Sequence, residues 1–164
     1  FGYIDAVAKG GRVWNDVPYP LLIIPNANLS YTLQKESFAL MNPMEFVADT
    51  YASWETIYYM NGVIFNRIPI IKKLGWREVI DFKGFYGNLR PDNNPALTDK
   101  NGLFLFPMDP EYKNPLTNMP YMELSFGIEN IFKVLEVDYV RRLTYNNLPN
   151  ISKHGVRIRV HVQF

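Results

Sequence analysis

Few side chains in this sequence are of a type and spacing that could do chemistry. Two carboxylate pairs, Asp49 with Glu55 and Glu123 with Glu129, are of the type used in general acid–base work. No nucleophile–base–acid pattern accompanies either pair, and ion pairing explains both better. The chain has no cysteine, which removes disulfides, thiolate metal sites and cysteine nucleophiles. With only two histidines, His154 and His161, a histidine-rich metal site is excluded. His161 reads as a hydrogen-bonded partner of a carboxylate, because no second ligand type clusters with it. Gly10-Gly11 lack the strand–helix context and the basic residue of a phosphate loop. Tyr58-Tyr59 read as interfacial aromatics rather than a carbohydrate platform. The expectation is a protein that is not an enzyme and carries no cofactor or metal.

The elements that position these residues follow from composition and periodicity. The chain has 164 residues, 17 Lys+Arg against 16 Asp+Glu, and a formal charge of +1. Near-neutral charge removes the electrostatic case for nucleic acid. The 15% aromatic content, with 11 Tyr and 11 Phe, is an excess that needs a reason. No apolar run reaches the ~18 residues of a transmembrane helix. The chain opens Phe1-Gly2-Tyr3 with no signal-peptide pattern, so it is expected to be a mature domain or a piece of something longer.

Period-2 alternation dominates the C-terminal third. Val156, Ile158, Val160, Val162 and Phe164 alternate with Gly155, Arg157, Arg159, His161 and Gln163. Met122, Leu124, Phe126 and Ile128 oppose Tyr121, Glu123, Ser125 and Gly127. Leu135, Val137, Tyr139, Leu143 and Tyr145 oppose Glu136, Asp138, Arg142 and Thr144, with Val140 and Arg141 each on the wrong side. A bulge or an interfacial position would accommodate Arg141. Weaker strands are expected at 51–60 and 76–89. The best helical stretch is the short basic segment Ile68 to Leu74. The reading is all-β and antiparallel, with about five strands in 46–164. Residues 1–45 form a partial strand and an ordered extracellular or lumenal loop. Connections are short on one side and long on the other, as in an outer-membrane barrel, 61–75 being the exception.

Alternation leaves open which face is buried. A soluble sandwich or small barrel would turn the apolar residues inward, and a transmembrane barrel would turn them toward lipid. The in-register charges suit a wet lumen: a hairpin through 146–154 would bring Asp138 toward His161, and pairing 121–132 with 134–145 would bring Glu123 toward Arg142. Tyr121, Phe132, Tyr139, Tyr145, Trp54 and Trp76 lie mostly toward strand ends, as interfacial girdles require. The fold expected is therefore an antiparallel transmembrane β-barrel, of which this chain is the C-terminal part. Open strand edges in lipid would then require upstream strands or a partner subunit.

Several stretches resemble a known family. They are Pro18-Tyr19-Pro20-Leu21-Leu22, Leu40-Met41-Asn42 with Glu45-Phe46-Val47, and Asn61-Gly62 through Asn66-Arg67-Ile68-Pro69. Lys73-Leu74 with Arg77-Glu78-Val79 belongs with them. The longest are Gly127-Ile128-Glu129-Asn130-Ile131-Phe132-Lys133, Val137 to Tyr145, and Pro149 to Gly155. They resemble the uncharacterised Bacteroidota outer-membrane family that joins an N-terminal carboxypeptidase-regulatory-like domain to a barrel like that of the bacterial surface antigen and BamA superfamily. The resemblance implies a closed barrel of about sixteen strands, with this chain supplying the last ones. It also implies that a loop folding back into the lumen lies within 1–45. The superfamily's Arg-Gly-aromatic motif is present only in altered order, as Gly10-Gly11-Arg12-Val13-Trp14, so a lumen-anchoring Arg12 is a hypothesis and a role in inserting other barrels is weakened.

The expected function is a structural and interaction role in the bacterial outer membrane, within an envelope assembly, biogenesis or secretion complex. Its partners would be lipid, upstream strands or a partner subunit, and other envelope proteins. Val156, Ile158, Val160, Val162 and Phe164 would form the assembly signal and lipid face. Glu123, Glu136, Asp138, Arg142, Arg157, Arg159 and His161 would form the lumen network. Arg67, Lys72 and Lys73 read as snorkelling residues on a turn, or as a docking site for a periplasmic domain. The alternatives are a transport pore or ligand-binding barrel gated by 91–118, and a soluble β-sandwich or barrel binding domain.

Overall fold

Branched and aromatic residues at alternate positions favour extended backbone. In a computed structural model describing residues 2–34, 36–94 and 116–160, they build six strands. These are β1 (Tyr3–Arg12), β2 (Thr50–Tyr59), β3 (Arg77–Asn88), β4 (Tyr121–Ile131), β5 (Leu135–Arg142) and β6 (His154–Val160). All pair antiparallel in one sheet that runs in chain order. Among the described residues the sheet is open, with β1 and β6 at its edges. Five strands lie within 46–164, and β1 supplies a full ten-residue sixth where the sequence marked only a partial one. Its alternation is faint because one face carries only Ile4, Ala6, Ala8, Gly10 and Arg12.

Connections sort by end. The segments 13–49, 89–120 and 143–153 leave one end of the sheet, and 60–76 and 132–134 leave the other. The second of these ends is tightly built. Val134 donates its N–H to Ile131 at 3.2 Å, closing a turn whose central residues, Phe132 and Lys133, have φ of 51° and 67°. Hairpins of this hand favour Asn-Gly, and a bulkier residue there costs roughly 1–2 kcal/mol. In 60–76, α1 (Pro69–Leu74) starts on a proline and ends at Gly75, whose left-handed φ of 69° closes the helix.

The long segment 13–49 folds back over one face of the sheet. Backbone bridges join Ile23 to Ala48, Ala27 to Phe38 and Thr32 to Ile158. The last of these lies on the free edge of β6, where Leu33 donates to the Ile158 carbonyl at 2.8 Å and Ile158 donates to Tyr31 at 2.9 Å. Beneath the segment, Phe38, Met41, Phe46 and Ala48 pack on Phe85 and Tyr121. Leu33, Ala39 and Leu40 pack on Val140. That explains the apolar Val140 on an otherwise polar face. Arg141 needs no bulge, since β5 pairs with both neighbours without a break there and the register shift falls between Ile128 and Ile131.

The covered face is thus the charged one. Asp138 and Glu136 are 0% exposed, whereas on the opposite, bare face Phe126 is 54%, Val156 54% and Val160 56% exposed. Three of the aromatics assigned to girdles sit elsewhere, Tyr145 among them, packed against Phe46 in the covered cluster. Tyr121 is fully buried on the covered face, with Phe46 5.2 Å away between ring centroids. Trp54 lies mid-strand on the bare face over Gly84, where any side chain would collide with the indole. Truncating Phe46→Ala should cost about 3–5 kcal/mol in urea unfolding, because its ring touches both Tyr121 and Tyr145.

Candidate functional site

Long charged side chains can meet across a sheet only if the strand between them is low. On the covered face β4 presents Ser125 and Gly127, and a Cβ at Gly127 would run into the Asp138 carboxylate. Over that dip Arg159 of β6 reaches Asp81 of β3 at 2.7 Å, Asp138 at 3.2 Å and Glu136 at 3.5 Å. Lys83 continues the chain of charges to Glu55 of β2 at 2.6 Å and to Asp81 at 3.6 Å, and donates to the Ser37 carbonyl at 3.1 Å. The result is one ionic network, four carboxylates on two cations, lying beneath segment 13–49 and bordered by a cavity on its β1–β2 side.

The same face holds that segment in place. Glu123 accepts hydrogen bonds from the backbone N–H groups of Ala39 and Leu40, each at 2.8 Å, and from the Tyr121 hydroxyl at 2.5 Å. Arg157 donates to the Ala39 carbonyl at 2.6 Å. Arg142, 1% exposed, forms a fork with Glu45, one arm of it 3.1 Å long, and its guanidinium lies over the Tyr121 ring. At the mouth of the segment Arg90 donates to Asp49 at 2.8 Å and to the carbonyls of Val13, Trp14 and Asn15. Burial pushes the Asp49 carboxyl up, but the hydrogen bonds from Asn93 and Arg90 outweigh it and hold the group below the usual carboxylate range.

Glu123, Glu136, Asp138, Arg142, Arg157 and Arg159 therefore share the covered face. Arg142 stands opposite Glu123 in register, but its ion-pair partner is Glu45. Asp138 stands opposite Arg157 rather than His161. His161, Val162 and Phe164 lie outside the described residues, and Val156, Ile158 and Val160 are on the bare face. The carboxylate pairs are split: the members of each are six residues apart and engaged separately, Asp49 by Arg90 and Glu55 by Lys83. Gly10 and Gly11 are strand residues paired with Ala52 and Tyr51. Tyr58 and Tyr59 point to opposite faces, and Tyr59 stacks on Tyr3 at 4.6 Å. Arg12 is not internal; it is exposed, with Trp14 against its guanidinium. Arg67, Lys72 and Lys73 are exposed on 60–76.

Glu45 and Arg90 escaped sequence reasoning, since both lie in irregular segments and meet partners 97 and 41 residues away. A cavity of about 400 Å³ remains between Thr32, Leu33, Gln34 and Glu36 on one side and strands β1, β2 and β6 on the other, with Asp5, Tyr59 and Arg159 in its wall. Among the described residues no three His, Asp or Glu are grouped to hold a metal ion. The chain matches no family model, no curated protein and no solved structure.

Two outcomes follow from these contacts. Arg142→Met strands the buried Glu45 carboxylate and should cost about 3–5 kcal/mol; adding Glu45→Met should return roughly 1–2 kcal/mol of it, read from a double-mutant cycle of unfolding curves. Because the folded Asp49 carboxyl titrates lower than the unfolded one, its contribution is complete above the unfolded value of about 4 and is lost as pH falls through the folded one. Asp49→Asn should therefore flatten the acid limb of the stability–pH curve and leave the slope near neutrality unchanged.

Proposed function

We propose that this chain is a section of the wall of a bacterial outer-membrane β-barrel, acting as a structural and interaction element of an envelope assembly. One observation carries the reading: on β3–β6 the charged face is covered and the apolar face is bare. A soluble sandwich does the reverse, because apolar area left in water forfeits about 25 cal/mol per Å². In lipid the same bare face is at home. Strands β1 to β4 have 10, 10, 12 and 11 residues, close to the roughly 9–11 that a tilted strand needs to cross. The two longest connections, 13–49 and 89–120, leave one end and the shortest, 132–134, leaves the other, which fits the same architecture with 60–76 as the exception. No helix among the described residues is long and apolar enough to cross, which says nothing of strands. The edges of β1 and β6 in lipid would need further strands, from the same polypeptide or a partner subunit.

The covering segment favours a scaffold over a pore. Segment 13–49 packs on the covered face of β3–β5 and is held there by ionic and backbone bonds, which puts protein rather than water against that part of the wall. The pore reading depends on 91–118 as a gate, most of which lies outside the described residues. The family resemblance stated above points to the same membrane and to no particular cargo.

The test uses the full-length protein in phosphatidylcholine vesicles, with every tryptophan except Trp54 replaced by Phe. Brominated lipid tails should quench Trp54 strongly, since its ring lies on the bare face; an unquenched Trp54 would sink the membrane reading in favour of the soluble one. In planar bilayers the wild type should stay closed, and a large steady conductance would select the pore.

A further inference from the structure

We propose that the end of the sheet bearing 60–76 and the β4–β5 turn is a docking surface for anionic phospholipid headgroups. The inference rests on the barrel reading and adds to it which end of the wall meets which lipid chemistry.

Charge is distributed unequally between the two ends. The connections 60–76 and 132–134 contain Arg67, Lys72, Lys73 and Lys133, and no Asp or Glu. At the opposite end, segment 13–49 contains Asp16, Glu36, Glu45 and Asp49 against the single Lys35. Of the carboxylates near the basic end, Glu78 is buried and accepts the backbone N–H groups of Ile64 and Phe65, and Glu129 lies in the sheet at the register position opposite Arg77. Arg67, Lys72, Lys73 and Lys133 are exposed, and among the described residues no ion pair neutralises them.

Apolar side chains share this surface. Ile70 is 76% exposed and Phe132 84%, with Ile64, Ile68 and Leu74 exposed beside them. Water alone gives no reason to display so much apolar area next to lysines. A membrane surface does, because the apolar groups enter the acyl boundary while the ammonium and guanidinium groups stay at the phosphates. A purely hydrated loop would be polar throughout, and a buried protein contact is usually depleted of lysine.

The surface is also preformed. Asn130 donates its side-chain amide to the Gly75 carbonyl at 2.7 Å, tying the end of α1 to β4. Phe132 and Lys133 are both held at positive φ, a conformation that Asn-Gly would adopt with less strain and that displays both side chains here. Anionic headgroups supply the complementary charge, and attraction of this kind weakens as salt rises.

The experiment places full-length protein in vesicles of phosphatidylcholine with a minor fraction of phosphatidylglycerol, and brominates the tails of one lipid at a time. One protein retains only Trp76, beside the basic surface, and another only Trp54. Quenching of Trp76 by brominated phosphatidylglycerol should exceed its mole fraction by roughly three-fold or more at low salt, and fall to the mole fraction at high salt. The variant Arg67→Gln/Lys72→Gln/Lys73→Gln/Lys133→Gln should lose the excess while its Trp54 remains quenched, showing that the protein is still folded and inserted. If Trp54 is quenched and Trp76 follows mole fraction, or the excess survives in the variant, the lipid assignment is overturned. If Trp54 is quenched and Trp76 by neither lipid, a protein covers the surface instead and the assignment is again overturned. A Trp54 insensitive to both lipids would overturn the barrel reading itself.

Discussion

Taking a carboxylate out of water costs several kcal/mol unless donors replace the solvent. For Glu123 the replacements are two backbone N–H groups, those of Ala39 and Leu40, and the hydroxyl of Tyr121. Lifting segment 13–49 from the sheet would strand that carboxylate and, with it, the Glu45–Arg142 pair and the Lys83 and Arg157 contacts to carbonyls of the segment. The segment is irregular in backbone but its position is determined many times over. Its own orphaned N–H and carbonyl groups are what the charged face needs, which is why a stretch of chain with so little regular structure can cover so much of a sheet.

Once the charged face is covered in this way, the remaining features fall into line. Ser125 and Gly127 keep β4 low so that Arg159 can reach across it to Asp81. The aromatic excess divides between two duties: Phe38, Phe46, Phe85 and Tyr121 build the apolar half of the covered side, and Phe82, Phe126 and Tyr139 stand on the bare side. Trp54 belongs with the second group and depends on the absence of a side chain at Gly84. The covered side is therefore mixed, an apolar half built on Phe85 and Tyr121 beside an ionic half built on Asp81, Asp138 and Arg159, while the other side of the same strands stays bare.

Strand positions were legible in the sequence wherever apolar and charged residues alternate, as in β4, β5 and β6, because period 2 is a local property. β1 was legible only in part, since Ala6, Ala8 and Gly10 give almost no contrast with Lys9. The side on which each charge lies could be read from the same alternation. Which side is covered could not, because that is decided by segment 13–49, whose prolines and mixed polarity carry no period. Pairings such as Arg142 with Glu45 join residues 97 positions apart, and no local pattern anticipates them. Tyr121 illustrates the limit: an aromatic at a strand end reads as a girdle residue, yet its parity puts it on the covered face beneath Phe46.

The bridge between Thr32 and Ile158 has a consequence for how the protein avoids self-association. An unpaired strand edge is a template for adding another strand, and proteins blunt such edges in various ways. Here the outward N–H and carbonyl of Ile158 are already engaged by Tyr31 and Leu33, so an incoming strand finds the middle of β6 occupied. Growth at that edge requires a displacement, two hydrogen bonds exchanged for two others, before any net gain begins. The bridge thus blunts the middle of the β6 edge against pairing with another strand.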